Sequence, residues 1–123
     1  MFDAFRFEPE QVDVEGYVFQ EWSYSERCAV EDEAALQFNR FTKYSQWENE
    51  VIKTLFVRHC VSWPCSKWPQ PIPCTDEAKQ ALYAVQTELC RKLVMRARTR
   101  IQGLQEDRVK NLQTGQRSGE LTQ

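Results

Sequence analysis

Residues 75–104 read TDEAKQALYAVQTELCRKLVMRARTRIQGL, and this stretch carries the clearest helical pattern in the chain. Its apolar residues recur at intervals of three or four, which places them on one face of an α-helix. The stripe consists of Ala78, Leu82, Val85, Leu89, Leu93, Ala97, Ile101 and Leu104. Thr75 has a hydroxyl that suits the N-cap position. We therefore predict a third helix over about residues 76–102, extending to about 112 past a weak point at Gly103.

Two shorter helices are predicted before it, each from a capping box. In this motif a serine oxygen accepts from an early backbone N–H, and a glutamate three residues later bonds back to the serine N–H. The two boxes are Ser23 with Glu26, and Ser45 with Glu48. The predicted ranges are about 24–41 for the first helix and about 46–61 for the second. The second helix has a predicted buried stripe of Trp47, Val51, Ile52, Leu55, Phe56 and Cys60.

The first 22 residues contain short runs in which apolar and polar side chains alternate, as in half-buried strands. The alternating apolar residues are Val12, Val14, Tyr17 and Phe19. Between them, Glu15 and Gly16 suit a tight turn. We predict a small β-hairpin within about residues 1–22, which needs a helix to pack on because an isolated hairpin is marginally stable.

Four prolines in WPCSKWPQPIPC, residues 63–74, exclude a regular helix and favour extended backbone. We predict a Pro-rich connector between the second and third helices. Its tryptophans, Trp63 and Trp68, have two interpretations. They fold back over the helical core, or they form an aromatic surface for a partner, since tryptophan is enriched at interface hot spots.

The chain of 123 residues has a globular composition, with 41% hydrophobic residues, 28% charged residues and a net charge of −2. No apolar run approaches the roughly 20 residues of a membrane helix, and the N-terminus lacks the pattern of a secretory signal. We predict a mainly α-helical single domain over residues 1–112, with three helices, the small N-terminal β-hairpin and a long, projecting C-terminal helix. Residues 113–123 are polar and contain glycine, so we predict a flexible tail.

Charge is distributed unevenly along the chain. Residues 1–50 carry twelve acids and four bases, whereas residues 51–123 carry six acids and twelve bases. Five of these bases, Arg91, Lys92, Arg96, Arg98 and Arg100, fall within ten residues. Such polarity lets a chain complement itself or present two faces to partners. The basic helix 91–100 also suggests an alternative function, a small nucleic-acid-binding regulatory protein, although the acidic total charge disfavours nucleic acid as a partner.

The chain has one histidine and five cysteines, which are His59, Cys28, Cys60, Cys65, Cys74 and Cys90. An odd number of cysteines without an export signal favours reduced thiols in a cytoplasm. A zinc-stabilised interaction module is a second alternative, but there is no CxxC pair, and His59 adjoins Cys60, which hinders joint ligation of one ion. The spacing supplies no Asn or Asp to orient a cysteine–histidine nucleophile. We predict no metal, no cofactor and no enzymatic activity.

The predicted partner-binding surface combines the two tryptophans with the far part of the third helix. Its residues are Trp63, Trp68, Arg91, Val94, Arg98, Ile101 and Leu104. The apolar stripe past residue 95 is expected to dock on another protein, with the charge polarity setting the orientation. On this interpretation, Val94→Asp combined with Ile101→Asp abolishes partner binding and leaves the domain folded.

Two segments carry a family resemblance. In VEGYVFQEWSYSERCAVE, residues 14–31, a short β-unit leads into a W-S-x-x-E-R helix start, and NEVIKTLFVRHCVSWP, residues 49–64, contains a predicted helix that ends in a Cys-Val pair. The matching residues are Trp22, Ser23, Glu26, Arg27, Cys60 and Val61. Over about residues 12–90 the order of elements resembles small tail-assembly proteins of tailed bacteriophages, of the tape-measure chaperone and baseplate-hub assembly kinds.

This resemblance implies a non-enzymatic protein that binds other phage tail proteins, either the tape measure or components of the baseplate and hub. Such a protein acts in the host bacterial cytoplasm during assembly, and in the virion tail if it stays in the particle. No catalytic residues carry over from the family. A homo-oligomer is a further expectation for its partners, and no membrane is expected.

Overall fold

The computed structural model describes residues 8–37, 43–64 and 68–122, and for 113–122 it describes the backbone alone. Within these residues the chain forms an antiparallel sheet and four helices. The strands are β1 (Gln11–Val14), β2 (Tyr17–Gln20) and β3 (Cys60–Ser62). The helices are α1 (Tyr24–Gln37), α2 (Tyr44–His59), α3 (Asp76–Val85) and α4 (Thr87–Thr122). The mainly α-helical fold with an N-terminal hairpin is confirmed, with one strand and one helix more than predicted.

The hairpin turn has the predicted position. Val14 of β1 pairs with Tyr17 of β2. The loop between them is therefore Glu15 and Gly16 alone, with φ of 54° and 90°. Two consecutive positive φ angles define the type I′ turn, whose twist matches that of the flanking strands. The Asp13 carboxylate accepts a hydrogen bond from the Gly16 N–H at 2.9 Å, which holds the turn closed.

Gly16→Ala is expected to lower the free energy of unfolding by about 1–2 kcal/mol, because the positive φ strains an L side chain. An added Cβ would also lie 3.2 Å from the Pro64 side chain. Gly103→Ala is the matched control: within α4 an added Cβ meets no described atom within 4 Å. Alanine should there raise the stability by up to about 1 kcal/mol. Urea denaturation measures the change in the free energy of unfolding of each variant. A Gly16→Ala protein as stable as wild type would contradict the positive φ of Gly16 in this turn.

A third strand begins where the second helix was predicted to continue. α2 ends at His59, and β3 pairs antiparallel with β2, with Ser62 opposite Val18 and Cys60 opposite Phe19. The strand order is β1-β2-β3, so β2 is central. Three residues are too few to show an alternating pattern, and the strand therefore had no local signal in the sequence.

One of the two predicted capping boxes is confirmed. Ser23 Oγ accepts from the Glu26 N–H at 3.0 Å, and Glu26 Oε1 accepts from the Ser23 N–H at 3.4 Å. The box predicted at Ser45 is wrong, because α2 begins at Tyr44, two residues earlier than predicted, and Lys43 occupies the N-cap without a side-chain bond. Residues 38–41, the predicted end of the first helix, lie outside the described residues.

The predicted third helix is two helices. Its cap is confirmed, since Thr75 Oγ1 accepts from the Ala78 N–H at 3.2 Å. At Gln86, with φ −117° and ψ 52°, the backbone leaves the helical region and separates α3 from α4. The Thr87 hydroxyl donates to the Tyr83 carbonyl at 2.6 Å across this break. The break thus divides one apolar repeat between two helices.

Helix α4 has 36 residues and continues past Gly103 to Thr122. At 1.5 Å per residue it is about 54 Å long, several times the length of α3. Its helical backbone includes residues 113–122, where the sequence predicted a tail. The buried side chains of α4 end at Ile101, so its distal part extends beyond the core within the described residues.

The core lies between the sheet and the four helices, and α1 contributes Val30 and Ala34 to it. Phe19 of β2 packs on Phe56 of α2 with ring centroids 6.1 Å apart, and Phe56 packs on Tyr83 of α3 at 6.2 Å. The buried residues of α4 are Cys90, Leu93, Val94, Ala97 and Ile101. Val85, which was assigned to the same stripe, is 79% exposed because α3 faces the core through Tyr83 instead.

A buried lysine fixes the end of α2. Lys79 Nζ donates to the carbonyl oxygens of Val57 at 2.6 Å and Cys60 at 2.9 Å. Its third neighbour is the Asp76 carboxylate at 3.4 Å. An ammonium has three donors, and these three oxygens match them, so the charge is buried with its hydrogen bonds satisfied. Lys79 thereby marks the point where α2 becomes β3.

Candidate functional site

The two tryptophans of the Pro-rich connector face inward. Trp63 is buried, and its Nε1–H donates to the Ile72 carbonyl at 2.7 Å. Trp68 is half-buried and packs edge-on against Trp63, with ring centroids 4.9 Å apart. The interpretation in which both cover the core is therefore favoured over an aromatic surface for a partner.

Two of the predicted partner-binding residues are core residues. Val94 and Ile101 are each 1% exposed, so a partner cannot reach them in this fold. This corrects the expectation that substituting them would leave a folded domain. Leu104, one turn further along α4, is half-buried against the same core. The predicted docking stripe is thus mostly used to attach α4 to the rest of the domain.

Arg91 and Arg98 lie on the side of α4 that faces α1 and α2. The Arg91 guanidinium donates to Glu48 Oε1 at 3.0 Å and to Asn49 Oδ1 at 3.2 Å. Asn49 Oδ1 also accepts from the Tyr83 hydroxyl at 2.7 Å. Glu48 is therefore used across the helix interface and not as a cap. Arg98 is half-buried and lines a cleft of about 280 Å³ between the three helices.

The charge polarity of the chain is partly neutralised within the fold. The ion pairs between the first 50 residues and the rest are Arg58–Glu33, Arg91–Glu48, Arg96–Glu15, Arg108–Glu10 and Arg108–Glu21. They support the self-complementary interpretation of the sequence. In the part of the chain that the structure describes, Lys92, Arg98 and Arg100 show no ion pair. The nucleic-acid alternative stays a prediction. Because Arg91 and Arg96 form ion pairs within the fold, fewer arginines of the basic helix remain to contact phosphates than the sequence suggested.

An exposed apolar cleft of about 390 Å³ lies between the distal part of α4 and the start of α1. Its apolar walls are Pro9, Tyr24, Val109 and Leu112. Tyr24 is 70% exposed, Val109 52% and Leu112 65%. We call Tyr24, Val109 and Leu112 the distal surface. It is apolar, contiguous and open, which is the usual character of a protein-binding patch.

The distal surface continues the stripe that α4 buries in the core. Leu112 follows Ile101 by three helical turns, so both lie on the same face of the helix. Gln105 and Arg108 occupy the intervening turns of that face and contact the hairpin. This face of α4 is therefore buried at Ile101. It is polar at Gln105 and Arg108, which bond to Glu21, and it is apolar and exposed at Leu112.

An acid–arginine network forms the polar wall of the cleft. The Arg108 guanidinium binds both carboxylate oxygens of Glu21, one of them at 2.6 Å, and donates to Glu10 Oε2 at 3.0 Å. Gln105 Nε2 donates to Glu21 Oε2 at 3.2 Å and to the Trp22 carbonyl at 3.0 Å. Burial opposes ionisation of Glu21, but the hydrogen bonds from Arg108, Glu10 and Gln105 outweigh it and lower its pKa. The network fixes α4 to the hairpin.

Cys60, Cys90 and His59 are buried, and burial shifts the pKa of each toward its neutral form. Burial raises the pKa of Cys60 to about 12 and that of Cys90 to about 11, so neither is a thiolate at neutral pH. Burial also lowers the pKa of His59, which packs on Trp22 with ring centroids 5.2 Å apart. His59 Nε2 lies 3.8 Å from the Glu26 carboxylate. These contacts identify His59 as a packing element between the end of α2 and the start of α1.

Across residues 8–37, 43–64 and 68–122, no three His, Cys, Asp or Glu side chains form a group that could hold a metal ion. Cys65, one of the cysteines considered for a zinc site, lies outside these ranges. The zinc alternative is therefore left without support from the described cysteines. None of the described helices combines the length and apolar character needed to cross a membrane.

Comparison with protein families, curated proteins and solved structures found no match to this chain. The resemblance to phage tail-assembly proteins stays a prediction.

The sequence did not lead to a prediction of the distal surface, or of the Gln105 and Arg108 contacts that fix α4 to the hairpin. The recurrence of Ile101, Gln105, Arg108 and Leu112 at intervals of three or four was visible in the sequence and would have extended the stripe. Tyr24 carried no such signal, because it joins the surface only through the packing of α1 beside α4.

Proposed function

We propose that this chain is a non-enzymatic bacteriophage tail-assembly protein that binds another virion protein through the distal surface. The observation that carries this proposal is that the core-facing stripe of α4 continues beyond the core, where Leu112 is 65% exposed. An exposed apolar stripe on a helix is stabilised when a partner covers it. The resemblance of residues 12–90 to tail-assembly proteins supplies the class of partner.

The distal surface is preformed, which favours binding. The Arg108–Glu21 contacts hold α4 against the hairpin before any partner arrives. A partner therefore loses little free energy to ordering this part of the chain. Burial of Tyr24, Val109 and Leu112 would supply the affinity, and the neighbouring charges of Arg108 and Glu26 would orient the partner.

The proposed partner is an apolar helical segment of the tape measure or of a baseplate-hub protein. A helix laid along α4 would match the spacing of Val109 and Leu112 and fill the open cleft beside Tyr24. The protein would act in the host bacterial cytoplasm during assembly, and in the tail if it is retained. A homo-oligomer through the same surface is the competing outcome.

Val109→Asp combined with Leu112→Asp is expected to weaken binding to the virion partner by about 100-fold, because two anchors of an apolar interface are lost. Both residues are more than half exposed, so the domain should stay folded. Co-expression with the tape-measure and baseplate-hub proteins of the same genome, followed by co-purification and titration, measures the loss.

Val85→Asp is the matched control. Val85 is 79% exposed at the end of α3 and does not line the cleft, so its substitution should leave binding unchanged. Undiminished binding by the double variant would contradict the distal surface. If the wild-type chain binds neither virion protein, the phage proposal fails, and self-association measured by light scattering would identify a homo-oligomer instead.

A further inference from the structure

Two cysteines meet at the ends of the Pro-rich connector. Cys60 is the first residue of β3 and is fully buried. Cys74 is half-buried and directly precedes the Thr75 cap of α3. The Cys74 thiol donates to the Cys60 carbonyl oxygen at 3.6 Å, so its sulfur lies against the backbone of Cys60.

The positions of both sulfurs are set by the surrounding elements. The backbone of Cys60 pairs with Phe19 of the central strand. The hydrogen bond from Trp63 Nε1 to the Ile72 carbonyl joins the start of the connector to its end, beside Cys74. The fold therefore holds the Cys74 sulfur beside Cys60, and the two residues do not meet through random motion of a loop.

We propose that Cys60 and Cys74 are a reversible thiol–disulfide site, which closes the Pro-rich connector into a covalent ring when the protein meets a small disulfide oxidant such as glutathione disulfide. A disulfide requires sulfurs about 2 Å apart, which side-chain rotation can provide where the two Cα atoms lie within about 7 Å of each other. The ring would span residues 60–74.

The exchange begins at Cys74, because it is the more exposed sulfur. Its thiolate attacks one sulfur of glutathione disulfide, and one glutathione thiolate leaves. The sulfur of Cys60 then attacks the Cys74 sulfur, and the second glutathione thiolate leaves. The two protein thiols lose two electrons and two protons, and one glutathione disulfide becomes two glutathione thiols.

The second step controls the rate. Burial is the main cause of the high pKa of Cys60, about 12, and the Lys79 ammonium acts in the opposite direction. Only a small fraction of Cys60 is a thiolate at neutral pH, so ring closure is slow there and accelerates as the pH rises. Cys74 carrying one glutathione is thus the expected intermediate.

Ring closure should raise the thermal midpoint. A cross-link that closes a loop of about 15 residues restricts the unfolded chain and leaves the folded one little changed, for an expected increase on the order of 10 °C. The residues Trp63 and Trp68 lie within the sequence that the ring encloses, so oxidation would also keep the two side chains packed over the core.

The test uses the full chain carrying Cys65→Ser. This background is needed because trypsin leaves Cys60 and Cys65 together in the peptide 59–67, while Cys74 is in the peptide 68–79. The protein is incubated with glutathione disulfide at about pH 8 and analysed without reduction by mass spectrometry. The expected result is a protein lighter by two hydrogen atoms, with the two peptides linked, and reversal by dithiothreitol.

Adding Cys74→Ser should abolish the mass loss, the peptide link and the rise in thermal midpoint, whereas adding Cys28→Ser should leave all three. Cys74 is half-buried, so its serine variant is expected to fold, which circular dichroism checks. A stable glutathione adduct on Cys74 without ring closure would overturn the proposal. Linkage of Cys74 to Cys28 or Cys90 would overturn it as well.

Discussion

The variant carrying both Val94→Asp and Ile101→Asp is expected to be unfolded. Each side chain is 1% exposed, and a carboxylate placed there has no hydrogen-bond partner. Burying one unpaired carboxylate costs about 3 kcal/mol or more even after its pKa rises, and two approach the whole stability of a typical domain. Far-UV circular dichroism should show loss of helix at 25 °C, with no cooperative melting transition.

Val109→Asp on the same helix is the control, because Val109 is 52% exposed. It should melt cooperatively within a few degrees of wild type. A folded Val94→Asp, Ile101→Asp protein that has lost only its partner would restore the original prediction that these residues form the docking surface. The contrast therefore separates the part of α4 that belongs to the core from the part proposed to bind.

Arg108→Gln is expected to lower the free energy of unfolding by about 2–4 kcal/mol, since it leaves a buried carboxylate without its cation. Glu21 is 6% exposed and binds Arg108 through both of its oxygens. Amide exchange should increase in the distal part of α4, because this contact fixes that part to the hairpin. Urea denaturation and hydrogen exchange measure the two effects.

The pH dependence identifies Glu21 as the cause. Its folded pKa lies below the ordinary value of 4.5, so its contribution is complete above that pH and is lost as the pH falls through the folded pKa. The stability difference between wild type and Arg108→Gln should shrink in that acidic range. Arg96→Gln, which breaks the exposed pair with Glu15, should cost less than about 1 kcal/mol. If Arg108→Gln and Arg96→Gln lowered the free energy of unfolding equally, the stabilising role of the Arg108–Glu21 contacts would be contradicted.

Features encoded by neighbouring residues were predictable from the sequence. The alternation of Val12, Val14, Tyr17 and Phe19 placed the hairpin in the correct register, because the buried face of a strand repeats every two residues. The caps at Ser23 and Thr75 were also correct, since each joins atoms three residues apart. Such contacts depend on little beyond the local chain.

Features created by distant contacts were not predictable in this way. Ser45 has the same box chemistry as Ser23, but Glu48 bonds to Arg91, far along the chain, and the box is not formed. Strand β3 exists because Cys60 and Ser62 pair with β2. The break at Gln86 was hidden because apolar residues continue at helical spacing on both sides of it.

The same distinction between local and distant contacts applies to the candidate site. The pattern correctly indicated a long apolar helix, but it could not show where the core ends along that helix. Val94 and Ile101 look the same in sequence as Val109 and Leu112, and only the position of the sheet and α2 distinguishes buried residues from exposed ones.

The contact of Lys79 with the end of α2 has a consequence for folding during synthesis on the ribosome. Lys79 is 22 residues beyond Val57 and 19 beyond Cys60, the carbonyls to which it donates. While α2 is leaving the exit tunnel, those carbonyls have only water to bond, and the boundary between α2 and β3 is not yet defined. These two hydrogen bonds form only once Lys79 has emerged and α3 has docked. The boundary between α2 and β3 thus takes part of its stabilisation from a helix that contributes no strand to the sheet.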